Sequence, residues 1–158
     1  MSTPTVIHTP ADFIAAIGPA ARASMAQTKI PASFTIAQAA LESSWGAHCP
    51  GMNLFGIKAD PSWHGPIVTE LTHEEVSGKR IEITAKFRAY ANWQGSIDDH
   101  AQFFIVNPRY KPAFACTTGP QWAVAVARAG YATDSRYAAK LQSIIASHNL
   151  QSFDKVQA

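Results

Sequence analysis

Residues 37–46 read AQAALESSWG, an apolar run that sets one carboxylate, Glu42, just ahead of two serines, a tryptophan and a glycine. On a helix Glu42 shares a face with Gln38, four residues earlier, beside an apolar stripe of Phe34, Ala37 and Leu41. A carboxylate near a helix C-terminus meets the negative end of the macrodipole, and apolar surroundings penalise its charged form. Both effects raise its pKa. That is unfavourable for stability and useful in a general acid that must hold a proton near neutral pH. The same glutamate on a solvated helix end would be an ordinary surface charge.

Glycoside cleavage typically uses a second carboxylate, and the middle of the chain offers Glu70, Glu74, Glu75 and Glu82. If Ser77-Gly78 form a two-residue turn, Glu75 faces Arg80 as an outward ion pair and Glu74 faces Ile81. Glu74 then shares a face with Thr72, Ile81, Ile83 and Phe87, where a carboxylate needs a reason such as a cleft. A slip of one residue would exchange the two glutamates. Most aromatics of a small domain belong to its core. Tyr131 differs, because it stands between a helix-ending glycine and the next helix cap, where a phenol can lean into a groove.

The elements that must position these groups read as helix, helix, hairpin, helix, helix, helix. The first helix opens with Thr9 as N-cap, Pro10 at its first position and Asp12 at its third, and Gly18-Pro19 is a candidate kink. The second ends at Gly46. Residues 81–90, IEITAKFRAY, alternate strictly and predict a half-buried strand paired with residues 66–75. SIDDHAQFFIVN returns to helical spacing with Ser96 and Asp99 as a capping pair and Pro108 past its end. GPQWAVAVARAG is closed by Gly130, and the last helix takes Asp134 as its cap. The terminal SFDKVQA reads as a loosely held tail.

With 158 residues, 47% hydrophobic and 15% charged, the chain can form one domain with a real core, spanning residues 1–158. A net charge of +2 is too small to argue for nucleic acid, and no apolar stretch is long enough to span a bilayer. Cys49 and Cys116 allow one disulfide or two buried thiols, and the scattered histidines offer no metal spacing. The first ten residues lack the basic start and apolar run of a secretory signal, so synthesis and retention in the cytoplasm is expected unless a dedicated machine moves the chain.

AQAALESSWG, NLFGIKA, the Thr72-x-Glu74 pair before Gly78, AKFRAY, NPRY and AGYATDSRYAAKL together resemble glycoside hydrolase family 73, the peptidoglycan-cleaving N-acetylglucosaminidases that include bacterial autolysins and the flagellar muralytic domain. The resemblance covers residues 30–150. It implies an α+β, mainly helical, lysozyme-like fold, with a helical lobe and a small β-hairpin lobe flanking a sugar groove. It makes Glu42 the catalytic acid, Glu74 the second carboxylate and Tyr131 the active-site tyrosine. Asn53, Phe55 and Gly56 become groove wall, and Gln38, Trp45 and Tyr90 complete the expected substrate contacts. The adjacent Glu75 leaves a competitor for Glu74.

The activity so implied is hydrolysis of the β-1,4 bond between N-acetylglucosamine and N-acetylmuramic acid, without metal or cofactor. A muramidase or lytic transglycosylase is the alternative within enzymes, and a non-catalytic wall-binding module the alternative outside them. Without a signal or wall-binding repeats, the chain is expected to reach the periplasm or wall of a target cell as a phage lysin or as an injected antibacterial effector. An effector brings a cognate immunity protein over the groove, and in an oxidising periplasm Cys49 and Cys116 could pair.

Overall fold

The computed structural model describes residues 6–155. Helix α1 (Pro10–Thr28) starts as its sequence predicts: Thr9 Oγ1 accepts from the Asp12 N–H at 3.1 Å, and the Asp12 carboxylate accepts from the Thr9 N–H at 3.2 Å. Helix α1 continues without interruption through Gly18 and Pro19, the candidate kink. Pro19 lies on the exposed face and so does Ala15, whose carbonyl loses its partner, so water can satisfy it. Gly18 is needed for a different reason. A Cβ there would meet the Phe153 ring at 2.6 Å.

Helix α2 (Ala32–Ser43) is buried all round from Ala32 to Ala40, not only along the predicted stripe. Ala37, Ala39 and Ala40 are fully enclosed, and their small side chains let the surrounding elements close on the helix. Its first turn has no side-chain cap of its own. The Asp154 carboxylate supplies one from 121 residues away, accepting from the Ser33 N–H at 2.8 Å and the Ser33 hydroxyl at 2.6 Å. The expected loose tail is therefore anchored. Leu150–Asp154 form a 3₁₀ turn, Leu150 is fully buried, and Arg22 donates to the Lys155 carbonyl. The rest of that stretch, 156–158, lies outside the described residues.

Strands β1 (Ile67–Val76) and β2 (Lys79–Arg88) pair antiparallel in the predicted register, with Glu74 opposite Ile81 and Glu75 opposite Arg80. Ser77 (φ 52°) and Gly78 (φ 78°) make the two-residue turn, both left-handed as a tight hairpin requires. Glu75 and Arg80 are register partners but form no ion pair. The side-chain contact across the strands is His73 Nε2 with Glu82 Oε1 at 3.3 Å. At the hairpin's base Arg88 grips the Asp99 carboxylate (3.0 and 3.2 Å), bonds Asp60 and the Lys58 carbonyl, and lies 4.9 Å from the Trp63 ring.

Helix α3 (Trp93–Val106) begins four residues before the start that a Ser96 cap predicts, and is capped by Asn92. Ser96 and Asp99 are not its caps: Ser96 Oγ accepts from the Leu54 N–H, and Asp99 holds Arg88. Helix α4 (Gly119–Arg128) carries a Thr118/Gln121 capping box, and α5 (Tyr137–Ser147) starts three residues beyond Asp134. The Asp134 side chain instead accepts from the Arg136 N–H and pairs with Lys140. Around α2 stand α1, α4, α5 and the C-terminal 3₁₀ turn, and α1 also packs on α3. The result is a mainly helical lobe with one small β-lobe. Among the described residues no helix is long and apolar enough to cross a membrane.

Candidate active site

Glu42 occupies the last turn of α2, one residue before the helix stops. Ser44 (φ 51°), Trp45 (φ 58°) and Gly46 (φ 84°) are all left-handed, which reverses the chain sharply. Non-glycine residues in this region are strained, and the surroundings hold them. The Trp45 N–H bonds the Ala40 carbonyl, and the Ser43 hydroxyl bridges the Ala39 carbonyl and the Gly46 N–H. The Trp45 ring packs edge-on to Phe13 and His148, with centroids 6.0 and 4.8 Å apart. Trp45 thus locks the helix end against α1 and the end of α5, and is not among the groove's lining residues as expected. A Cβ on Gly46 would stand 3.0 Å from the Phe13 ring.

The groove in front of Glu42 is lined by His48, Asn53, Gly56, Glu70, Thr72 and Phe87, among others. One wall is the loop after α2, the other the inner face of the hairpin. Glu42 stays open to this groove, while the packed end of α2 raises its pKa above the ordinary glutamate value of 4.5 by removing water around it. The opposing influence is a hydrogen bond: the Tyr137 hydroxyl donates to Glu42 Oε1 at 2.7 Å. Burial raises the Tyr131 phenol as its largest effect, with the negative charge of Glu42 adding to it, so Tyr131 stays neutral. Tyr131 is half-buried and stacks on Tyr137 and Phe104.

The expected binding residues divide. Gly56 lines the groove with nothing within 4 Å of where a Cβ would stand. Asn53 lines it too, but its side chain is buried and fully engaged: Nδ2 donates to the Ile57 and Arg88 carbonyls, and Oδ1 accepts from the Phe55 and Ile57 N–H groups. It pins the loop to β2. Gln38 is fully buried, between Tyr137 and His100, and Phe55 is buried with its ring stacked 3.6 Å from that of His100. Neither is exposed enough to touch a sugar, contrary to expectation: Gln38 lies on the enclosed α2, and Phe55 is packed against His100 of α3. Tyr90 donates to Asp99 at 2.5 Å and leans on Trp63, bracing the hairpin's base.

Glu74 lies beyond the groove's lining, exposed toward the hairpin tip, on the same strand face as groove-lining Glu70 and Thr72. Glu70, His48 and Tyr137 are the functional candidates that sequence reasoning did not select. The alternation that picked Glu74 carries Glu70 as well, four residues earlier. Tyr137 stands at helical spacing with Leu141, Ile144 and Ile145, the pattern of a core stripe, and its hydroxyl becomes visible as a partner only when α5 is laid against α2. Cys49 and Cys116 are free, half-buried thiols, and no cluster of three metal-binding side chains occurs among the described residues.

A glucosaminidase family model, described as mannosyl-glycoprotein endo-beta-N-acetylglucosaminidase, matches residues 18–150. The chain belongs to the glucosaminidase family, glycoside hydrolase family 73. The chain is 40% identical to the peptidoglycan hydrolase FlgJ of Salmonella typhimurium over 141 residues, 85% of this chain and 45% of that protein. It is 41% identical to the exo-glucosaminidase LytG of Bacillus subtilis over 132 residues, 78% of this chain and 46% of LytG. The chain therefore spans about half the length of these curated relatives. The structure of a C-terminally truncated glycoside hydrolase domain of Salmonella FlgJ superposes with a TM-score of 0.78 at 38% identity, covering 89% of this chain and 98% of that one. The lysozyme-like, mainly helical fold expected from the sequence is the fold of this family.

Proposed function

We propose that the chain is a peptidoglycan hydrolase that cleaves the β-1,4 bond between N-acetylglucosamine and N-acetylmuramic acid, its described residues acting as one catalytic unit. The observation that carries this reading is Glu42 at the end of a buried helix, with its pKa raised, one oxygen held by Tyr137 and the other without a hydrogen bond to the described residues. Glu42 protonates the leaving oxygen as the glycosidic bond breaks. Glu74 activates water or stabilises the oxocarbenium-like centre, supported by its position on the groove-facing side of β1. Glu70 is a second reading for that role, favoured by its place in the groove lining. Tyr131 lies against Tyr137 and orients the substrate's acetamido group.

The finer reading is an antibacterial one: the enzyme acts on the wall of a target cell, as an injected effector or a phage lysin, and an effector's immunity protein fills the groove over Glu42. What supports it is an open groove with its acid accessible. A small neighbouring gene product that binds the chain and rescues cells from its periplasmic expression supports the effector, and a holin gene without such an antidote supports the lysin. The bond specificity is tested by digesting wall, reducing with borohydride and reading the new ends by mass spectrometry. Reduced glucosamine ends are expected. Reduced muramic acid or anhydromuramic ends overturn the assignment in favour of a muramidase or transglycosylase.

A further inference from the structure

Behind Glu42 runs a polar chain that crosses the core. His100 Nε2 lies 2.5 Å from Gln38 Oε1, Gln38 Nε2 donates to the Tyr137 oxygen at 2.9 Å, and the Tyr137 hydroxyl donates to Glu42 Oε1 at 2.7 Å. Gln38 and His100 are almost wholly enclosed, at 0% and 1% exposure. Such a chain inside a core is costly unless every member is satisfied, so its polarity is constrained. With the Gln38 amide N–H directed at Tyr137, its oxygen must accept, and His100 must carry its proton on Nε2. His100 sits between aromatic rings, Phe55 on one face and the edge of Phe104, and burial lowers its pKa to about 3. It is therefore a neutral donor of fixed tautomer throughout the working range.

We propose that Gln38 and His100 are positioning residues whose one-way hydrogen-bond chain fixes the Tyr137 hydroxyl as a donor to Glu42 Oε1, so that the acid proton of Glu42 resides on Oε2, toward the groove. The proposal rests on the reading of Glu42 as the general acid. Gln38 holds the acceptor side of the phenol and Glu42 takes its only proton, so a protonated Oε1 would set its hydrogen against the phenol's own. Without Gln38 the phenol can accept, and the neutral acid can turn its proton inward. The other titratable groups facing Glu42 are Tyr131, from the loop before α5, His48 in the loop after α2, and Glu70 on the hairpin wall. None of these bonds Glu42 Oε1.

The test combines ¹⁵N NMR of His100 with ¹³C titration of the Glu42 carboxyl and steady-state kinetics on the intact chain, comparing wild type, Gln38→Met and Tyr137→Phe. The wild type should show His100 protonated on Nε2 at pH 5 and at pH 8. Gln38→Met should lower kcat about tenfold with KM within about twofold, and move the basic limb of the pH profile upward, because the neutral acid gains an inward hydrogen bond. Tyr137→Phe should also raise the Glu42 titration, since a donor to the carboxylate is lost. An Nδ1-protonated His100 reverses the chain and overturns the proposal, as does Gln38→Met with unchanged kcat and pH limb. If Gln38→Met does not fold, the wild-type tautomer and the Tyr137→Phe titration decide. Neither readout needs turnover, so an inactive wild type with the expected tautomer would count against the hydrolase reading and leave the chain's polarity standing.

Discussion

Asp154→Ala removes the cap of the helix that carries Glu42. Asp154 accepts two hydrogen bonds, from the Ser33 N–H at 2.8 Å and the Ser33 hydroxyl at 2.6 Å, and α2 has no side-chain cap of its own. Ser33 is fully buried, so its hydroxyl and amide lose their acceptor in a place water reaches poorly. A hydrogen bond to a charged group contributes about 1.5–3 kcal/mol and loss of an N-cap costs about 0.5–2 kcal/mol. These overlap, because one of the two bonds is the cap. Asp154 is only half-buried, which lets water replace part of the loss. The expected cost is about 2–3 kcal/mol, or a fall in Tm of about 4–12 °C for a domain of this size. Asp154→Asn keeps an acceptor and loses the charge, so it should cost about 1 kcal/mol. Urea denaturation of both variants and of Ser33→Ala, arranged as a double-mutant cycle, isolates the pair. Activity per folded molecule at low temperature should stay close to wild type. A loss below about 0.5 kcal/mol for Asp154→Ala would show that α2 does not depend on this distant cap.

Glu42→Gln should abolish wall clearing by orders of magnitude while the protein stays folded, and a near wild-type rate would refute Glu42 as the acid. The same variant carries a pH signature. The folded pKa of Glu42 is raised, so its charged form destabilises the fold: that penalty is absent below the unfolded value of 4.5 and grows as pH rises through the folded pKa. Glu42→Gln should therefore be more stable than wild type at pH 7.5 but not at pH 4, as read by urea midpoints. An equal difference at both pH values would contradict it. Glu74→Gln should cost far more activity than Glu75→Gln, whose side chain points outward, and Glu70→Gln is measured beside them. If Glu70 outranks Glu74, the second role passes to Glu70. Gly119→Ala places a Cβ 2.0 Å from Ser33 Oγ at the start of α4, and should destabilise by about 1–3 kcal/mol in thermal melts.

Much of this was legible in local pattern. The Thr9-Pro10-Asp12 start, the period-two alternation of residues 81–90, the two-residue turn and its register, and the order of five helices around one hairpin all follow from interactions between residues close in sequence. Glu42 was legible too, because helix-end electrostatics and an apolar approach act within one turn. The local readings failed where a distant partner intervened. Ser96 and Asp99 look like a capping pair until Leu54 and Arg88 claim them. The terminal segment looks loose until Asp154 meets Ser33 and Phe153 meets Gly18.

By itself the sequence singled out Glu42 as the candidate acid, and it fixed the hairpin and the family resemblance, since each is carried by residue types at short spacing. Only the tertiary structure decided what surrounds the acid. It enclosed α2 on all sides, which took Gln38 away from substrate and turned it into a link between His100 and Tyr137, and it packed Phe55 against His100. It laid α5 against α2 so that Tyr137 rather than Tyr131 bonds Glu42. It also put Glu70 in the groove wall and left Glu74 nearer the hairpin tip. The physical reason is common to all three. Burial and hydrogen bonding between groups 62 to 99 residues apart depend on how elements pack, and helical or strand periodicity reports which face of an element is apolar without saying what will cover it.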